Sequence, residues 1–149
     1  MKLSAAAVIL VLFISTNFHA SAQTKQGAAK PHVELISAEE LKAKMAKNEP
    51  VTIIDVRATE SYAESDARIK GAIHVKLRRL KTRLALPPLN TVPRDREVVT
   101  YCACPSEESS LVAAQVLLDA GFKRVRALKG GWEEWRRING QVEPRPRGL

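Results

Sequence analysis

Apolar and polar residues follow two rhythms along this chain: short β-branched runs, then stretches spaced for helices. Val33-Glu34-Leu35-Ile36 reads as a short strand. Ser37-Ala38-Glu39-Glu40 reads as a capping box, with Ser37 capping the helix and Glu40 returning the bond. Leu41 and Met45 carry that helix to Asn48, and Pro50 follows it. Val51 to Val56 is an apolar, β-branched run of the kind found in buried parallel strands. Thr59 to Ala67 predicts a short helix and Gly71 to Val75 a brief strand. Leu77, Leu80 and Leu84 predict an amphipathic helix that Pro87-Pro88 ends, and Leu89 to Arg96 is a loop. Glu97 to Cys102 is the next strand, followed by an alanine-rich helix over Ser110 to Ala120 with Gly121 as its C-terminal cap. Val125 to Leu128 is the last strand, and Gly130-Gly131 turns into a closing helix over Trp132 to Ile138.

Strand and helix alternating at this spacing predict an α/β domain, a central parallel sheet with helices on both faces. Ligands of such sheets sit beyond the carboxyl ends of the strands, where Asp55, Arg57 and Cys104 all fall.

The first residues follow a different pattern. Lys2 gives a positive start, Ala5 to Ile14 is uninterruptedly apolar, and Ala20-Ser21-Ala22 forms an A-x-A cleavage site before Gln23. The apolar run is shorter than the roughly 20 residues a bilayer span requires. The sequence therefore predicts a signal peptide over residues 1–22, a flexible lead-in over 23–31, one folded domain over 32–143 and a basic tail over 144–149. The mature chain is expected in the periplasm or outside the cell, with no membrane span. Disulfides are permitted in such compartments.

The formal net charge is +8, and removal of the leader lowers it only by the charge of Lys2. Part of the excess lies in Lys76 to Arg83, where charges alternate with leucines as on a solvated helix face. Export argues against a nucleic-acid partner.

Both cysteines lie in one stretch, Tyr101-Cys102-Ala103-Cys104-Pro105-Ser106-Glu107-Glu108-Ser109-Ser110, between a strand and a helix. A thiol on a short polar loop that opens a helix meets backbone N–H groups and the positive helix end, both of which favour a thiolate. Cys102 lies two residues up the strand on the same side but deeper. It reads either as a small buried apolar side chain or as a resolving thiol. The histidines, His19, His32 and His74, form no metal constellation with Cys102 and Cys104, and no metal or other cofactor is predicted.

Four segments in order resemble the single-domain rhodanese family: Ile53-Ile54-Asp55-Val56-Arg57, Ile69 to Val75, Cys104 with Ala113-Ala114-Gln115, and Leu128 to Trp135. The likeness covers roughly Val33 to Glu143. It implies a rhodanese-like fold and sulfur transfer: a cysteine accepts a sulfane sulfur as a persulfide and passes it to a thiol, cyanide or a protein acceptor. The sulfur would come from a small donor or a persulfidated protein partner. Counting back from Ala113-Ala114-Gln115, the family's nucleophile falls on Cys104. Pro105, Ser106, Glu107, Glu108, Ser109 and Ser110 would form the loop around the substrate. Asp55 and Arg57 would brace the rim as an ion pair, with Cys102 in support. His74 is structural at this place in the family. Trp132 and Trp135, three apart on one helix face, read as core packing.

The loop departs from the family in having two acids, no base and no glycine. A carboxylate about 6 Å from the thiolate costs on the order of 3 kcal/mol at an effective dielectric of 20, and under about 1 in water. Each loop N–H donor returns roughly 1.5–3 kcal/mol, so the thiolate survives if Glu107 and Glu108 point outward. Thiosulfate, a dianion, is expected to be a poor donor, and a neutral or cationic donor or a protein partner is favoured. Two other readings stay open: a thiol–disulfide pair of Cys102 and Cys104, and a non-catalytic binding module. A phosphatase of the same fold needs an arginine six residues after the cysteine, where this chain has Ser110.

Overall fold

The computed structural model describes residues 32–104 and 106–146. The expected leader and lead-in, Pro105 and the last three residues lie outside that range. Five parallel strands form the main sheet: β1 (Glu34–Ile36), β2 (Val51–Asp55), β4 (Ile73–His74), β5 (Glu97–Tyr101) and β6 (Arg124–Leu128), in the order β1-β6-β5-β2-β4. β5 is central and buried at every residue, as its Val98-Val99-Thr100 run requires.

Side chains alternate across the sheet and supply two cores. Val98 and Cys102 join Ile54, Val125 and Ala127 beneath α4 (Glu108–Asp119) and α3 (Leu80–Arg83). Val99 and Tyr101 join Ile36, Ile53 and Leu128 beneath α1 (Ala38–Ala46) and α5 (Gly131–Arg137). Ala113 and Ala114 are fully buried, and their small side chains let α4 lie close to the sheet. Ser37 Oγ accepts from the Glu40 N–H at 3.1 Å and starts α1. Gly121, at φ +90°, ends α4 in a conformation that side chains rarely adopt.

The structure differs from the sequence pattern in four places. The helix expected over Thr59 to Ala67 stops at Glu64 (α2, Thr59–Glu64), and Ala67 begins β3 (Ala67–Ile69). β3 pairs antiparallel with β7 (Val142–Pro144) in a small second sheet. Arg145 continues that edge by hydrogen bonding to Asp66, Ser65 and Ala63 carbonyls, so Pro144 and Arg145, expected in the tail, are bonded to the domain. Finally, the Leu77–Leu84 helix begins as a 3-10 turn over Leu77–Arg79 that leaves Leu77 half-buried. Among the described residues, no helix is long and apolar enough to cross a membrane.

Candidate active site

The carboxyl ends of β2, β4 and β5 form one rim, in register: Asp55 is the Cα partner of both Tyr101 and His74. Asp55 and Arg57, both fully buried, meet through a forked contact. Arg57 Nη2 lies 2.7 Å from Asp55 Oδ2, and Arg57 Nε lies 3.0 Å from the same oxygen. Tyr101 Oη donates to Asp55 at 2.6 Å and accepts from the Ile69 N–H at 3.3 Å. The Arg57 guanidinium carbon lies 4.4 Å from the Trp132 ring centroid and 5.1 Å from that of Tyr62. Burial opposes ionisation of Asp55, but His74, Arg57 and Tyr101 hold its carboxyl below the usual range. Burial first, and the Asp55 charge second, keep Tyr101 protonated well above the ordinary phenol value. His74 stacks on Tyr62 with centroids 3.6 Å apart and places Nδ1 3.8 Å from Asp55 Oδ1, too far for a hydrogen bond. This assembly is a rigid floor, and the thiol loop sits at its edge.

Beyond Tyr101 the strand's alternation sends Cys102 into the α4 core, 1% exposed, while Cys104 emerges half-buried. The Cys102 thiol, with one proton to give, lies 3.7 Å from the Cys104 carbonyl oxygen and 3.8 Å from Ser110 Oγ. Cys104 Sγ lies 3.7 Å from Ser109 Oγ. Burial opposes charge on Cys104, yet the Cys102 thiol, the Ser109 hydroxyl and the N–H groups of Ser109 and Cys104 bring its pKa below the ordinary thiol value. Burial pushes the Cys102 thiol up. Ser109 lies in the first turn of α4, where N–H groups lack partners within the helix. The two sulfurs are thereby sorted, the more acidic thiol near the surface and the less acidic one beneath it.

The other loop residues divide. Ser106 and Glu108 are exposed, and Glu108 lies in the first turn of α4 beside the positive helix end. Glu107 caps α4 at φ +54°, and its carboxylate accepts from the Gly130 N–H at the start of α5. It is therefore not a free charge pointing outward. Ser110, expected at the substrate, is fully buried; its hydroxyl donates to the Glu107 carbonyl at 2.8 Å and lies 3.8 Å from the Cys102 sulfur. It braces the loop from inside. Pro105 lies outside the described residues.

Gly131 explains how α5 approaches this loop. A Cβ there would stand 2.3 Å from the Cys102 carbonyl oxygen, which accepts from the Trp132 N–H at 2.8 Å. Sequence reasoning missed four contributors. Tyr101 was visible only as a strand residue, although its inward phase was readable from the alternation. Tyr62 carried no signal. Lys76 and Arg78, read as a solvated helix face, line a cleft that also includes Ser109. Among the described residues no three His, Cys, Asp or Glu side chains cluster as for a metal.

The fold and this site define a class: parallel α/β domains that present a cysteine at a central strand-to-helix turn. Residues 37–138 match the family model for the rhodanese-like domain. A sulfurtransferase of Allochromatium vinosum is 30% identical over 105 residues, 70% of this chain and 90% of that one. The thiosulfate sulfurtransferase GlpE of Coxiella burnetii is 30% identical over 92 residues, 62% of this chain and 78% of that one. The crystal structure of the Alr3790 protein from Anabaena superposes with a TM-score of 0.60 at 32% identity, covering 74% of this chain and 82% of that one. The chain belongs to the rhodanese-like domain family, and its function at family level is of sulfurtransferase type.

Proposed function

We propose that the protein is an exported sulfurtransferase that carries sulfur as a persulfide on Cys104. The observation that carries this reading is the sorting of the two thiols: Cys104 is accessible with a lowered pKa, and Cys102 is buried with a raised one. A thiolate near neutral pH is the nucleophile this chemistry needs. The Cys104 thiolate attacks the outer sulfur of a donor, and the donor's S–S bond breaks. The persulfide anion then rests on the Ser109 hydroxyl and N–H at the start of α4. A thiol, cyanide or a protein acceptor next attacks that outer sulfur and releases the Cys104 thiolate. The rigid Asp55–Arg57–Tyr101 floor fixes the rim without touching the sulfur.

Intact mass after exposure to a persulfide donor tests the reading. A gain of one sulfur that survives Cys102→Ser and disappears in Cys104→Ser is expected. Loss of two hydrogens indicates a thiol–disulfide pair instead, although a two-residue separation strains such a bond. No change indicates a binding module. Export rests on the leader pattern of residues 1–22, and the expected mature N-terminus is Gln23, which N-terminal sequencing of protein from the host's periplasm or medium checks.

A further inference from the structure

A cleft of about 510 Å³ opens beside the thiol loop. Ser109, whose Oγ lies 3.7 Å from Cys104 Sγ, lines its end nearest the thiol, and Val56, Ala58 and Leu77 give it apolar wall. Lys76 and Arg78 stand exposed along it, and neither pairs with a carboxylate among the described residues. Arg57 contributes a third cation; its Nη1 is buried without a hydrogen-bond partner while Asp55 matches its charge. Glu60 is the one acidic residue of the lining, and Glu107 and Glu108 take no part in it. The cleft's excess charge is thus positive, although the thiol loop itself is acidic.

We propose that this cleft receives a small organic persulfide bearing a carboxylate, with Lys76 and Arg78 on the carboxylate and the terminal sulfur at Cys104. The inference rests on Cys104 as the sulfur acceptor. A volume of about 510 Å³ falls within the roughly 300–1,000 Å³ of sites that enclose organic ligands. An inorganic dianion would leave the apolar wall uncovered and gain only screened surface charge. A cationic donor would meet two unpaired cations. The sequence expectation of a neutral or cationic donor counted only the loop acids, and of these the Glu107 carboxylate is already bound by Gly130. In the transfer, the Cys104 thiolate attacks the terminal sulfur of R–S–SH, the S–S bond breaks and R–S⁻ leaves. The product is Cys104–S–SH, the proton stays on the transferred sulfur, and no oxidant is consumed.

The test compares N-acetylcysteine persulfide with its carboxamide analogue, which has the same skeleton without the charge. Single-turnover persulfidation of Cys104 is followed by intact mass. The carboxylate donor is expected to react about three- to ten-fold faster at low ionic strength, as one or two exposed ion pairs allow. That ratio falls to near one in Lys76→Gln/Arg78→Gln and in high salt, and thiosulfate is slower than either persulfide. A ratio near one in the wild type, a ratio that persists in the double variant, or faster reaction with thiosulfate overturns the cleft assignment and leaves sulfur transfer by Cys104 intact. Failure of both persulfides to place sulfur on Cys104 overturns the sulfurtransferase reading, and the cleft assignment with it.

Discussion

At φ +54°, Glu107 occupies the left-handed region, where a side chain costs roughly 1–2 kcal/mol relative to glycine. Every polar group it has is nevertheless engaged: its N–H with the Cys104 carbonyl, its carbonyl with Leu111 and Ser110, its carboxylate with Gly130. A charged hydrogen bond of roughly 1.5–3 kcal/mol offsets the backbone strain. Glu107→Ala should lose the bond and keep the strain, lowering stability by about 1.5–3 kcal/mol in urea melts. Glu107→Gly loses the bond but relieves the strain, so it should fall between Ala and wild type. The reverse order would remove Glu107 as the tie between loop and α5. The second residue-scale expectation concerns Cys102. Its thiol is one of the groups that lower the Cys104 pKa, so Cys102→Ala should slow alkylation of Cys104 at pH 7 by about three-fold, the worth of one modest hydrogen bond. Cys102→Ser keeps a donor and should restore the rate. Equal rates in both variants would show that Cys102 only fills space.

The start of α5 and the exit of β5 are a single joint. The Trp132 N–H meets the Cys102 carbonyl, the Gly130 N–H meets Glu107, and Gly131 leaves no room for a Cβ against Cys102. Gly131→Ala pits a methyl against a backbone carbonyl at 2.3 Å, with φ already at +53°. A loss of at least about 2 kcal/mol is expected, together with slower alkylation of Cys104, because the displaced carbonyl belongs to the residue that positions the loop. Full alkylation with unchanged stability would mean that α5 and the thiol loop move independently. Elements of this size were unevenly legible in the sequence. Each main-sheet strand and its helix announced itself through periodicity, and Ser37 and Gly121 marked helix ends by their chemistry. β3 and β7 did not, because strands of three residues, paired across more than seventy positions, leave no local rhythm. The cleft was hidden for a related reason. Lys76 and Arg78 alternate with Leu77 as they would on a solvated helix, and only the 3-10 turn at that point directs them beside Ser109. Cys104 was legible because strand, turn and helix are contiguous there. Its Asp55–Arg57 floor was half legible, since Tyr101 and Trp132 reach it from other elements.

Chemistry gathers at the carboxyl ends of the strands, and a separate charge cluster closes their amino ends. Glu97, at the start of β5, is 5% exposed and faces Arg126, Arg124 and Lys44, and Arg126 continues to Glu40. Burial opposes the Glu97 charge, but Arg126 and Lys44 outweigh it and its pKa lies below the ordinary carboxylate value. Asp55 at the opposite end is depressed in the same way. A carboxyl with a depressed folded-state pKa binds its proton more readily in the unfolded chain. Both therefore contribute stability that is present above the unfolded values, near 3.8 for Asp55 and 4.5 for Glu97, and is lost as pH falls through their folded values. The two ends should differ in what removal of the charge does. Asp55→Asn strands the fully buried Arg57 guanidinium, a loss of about 3–5 kcal/mol. Glu97→Gln leaves Arg126 and Lys44 partly solvated, and Arg126 still paired with Glu40, so about 1–3 kcal/mol is expected. Urea melts at pH 7 and at pH 4 separate the two contributions. Each variant should be less stable than wild type at pH 7, and each deficit should shrink at pH 4 as the unfolded wild-type carboxyl takes up its proton. Only Asp55→Asn should also disturb the pH profile of Cys104 alkylation, because its partners Tyr101 and Arg57 hold the rim on which the thiol loop stands. A Glu97→Gln variant that altered that profile would mean the two ends of the sheet are mechanically coupled through β5.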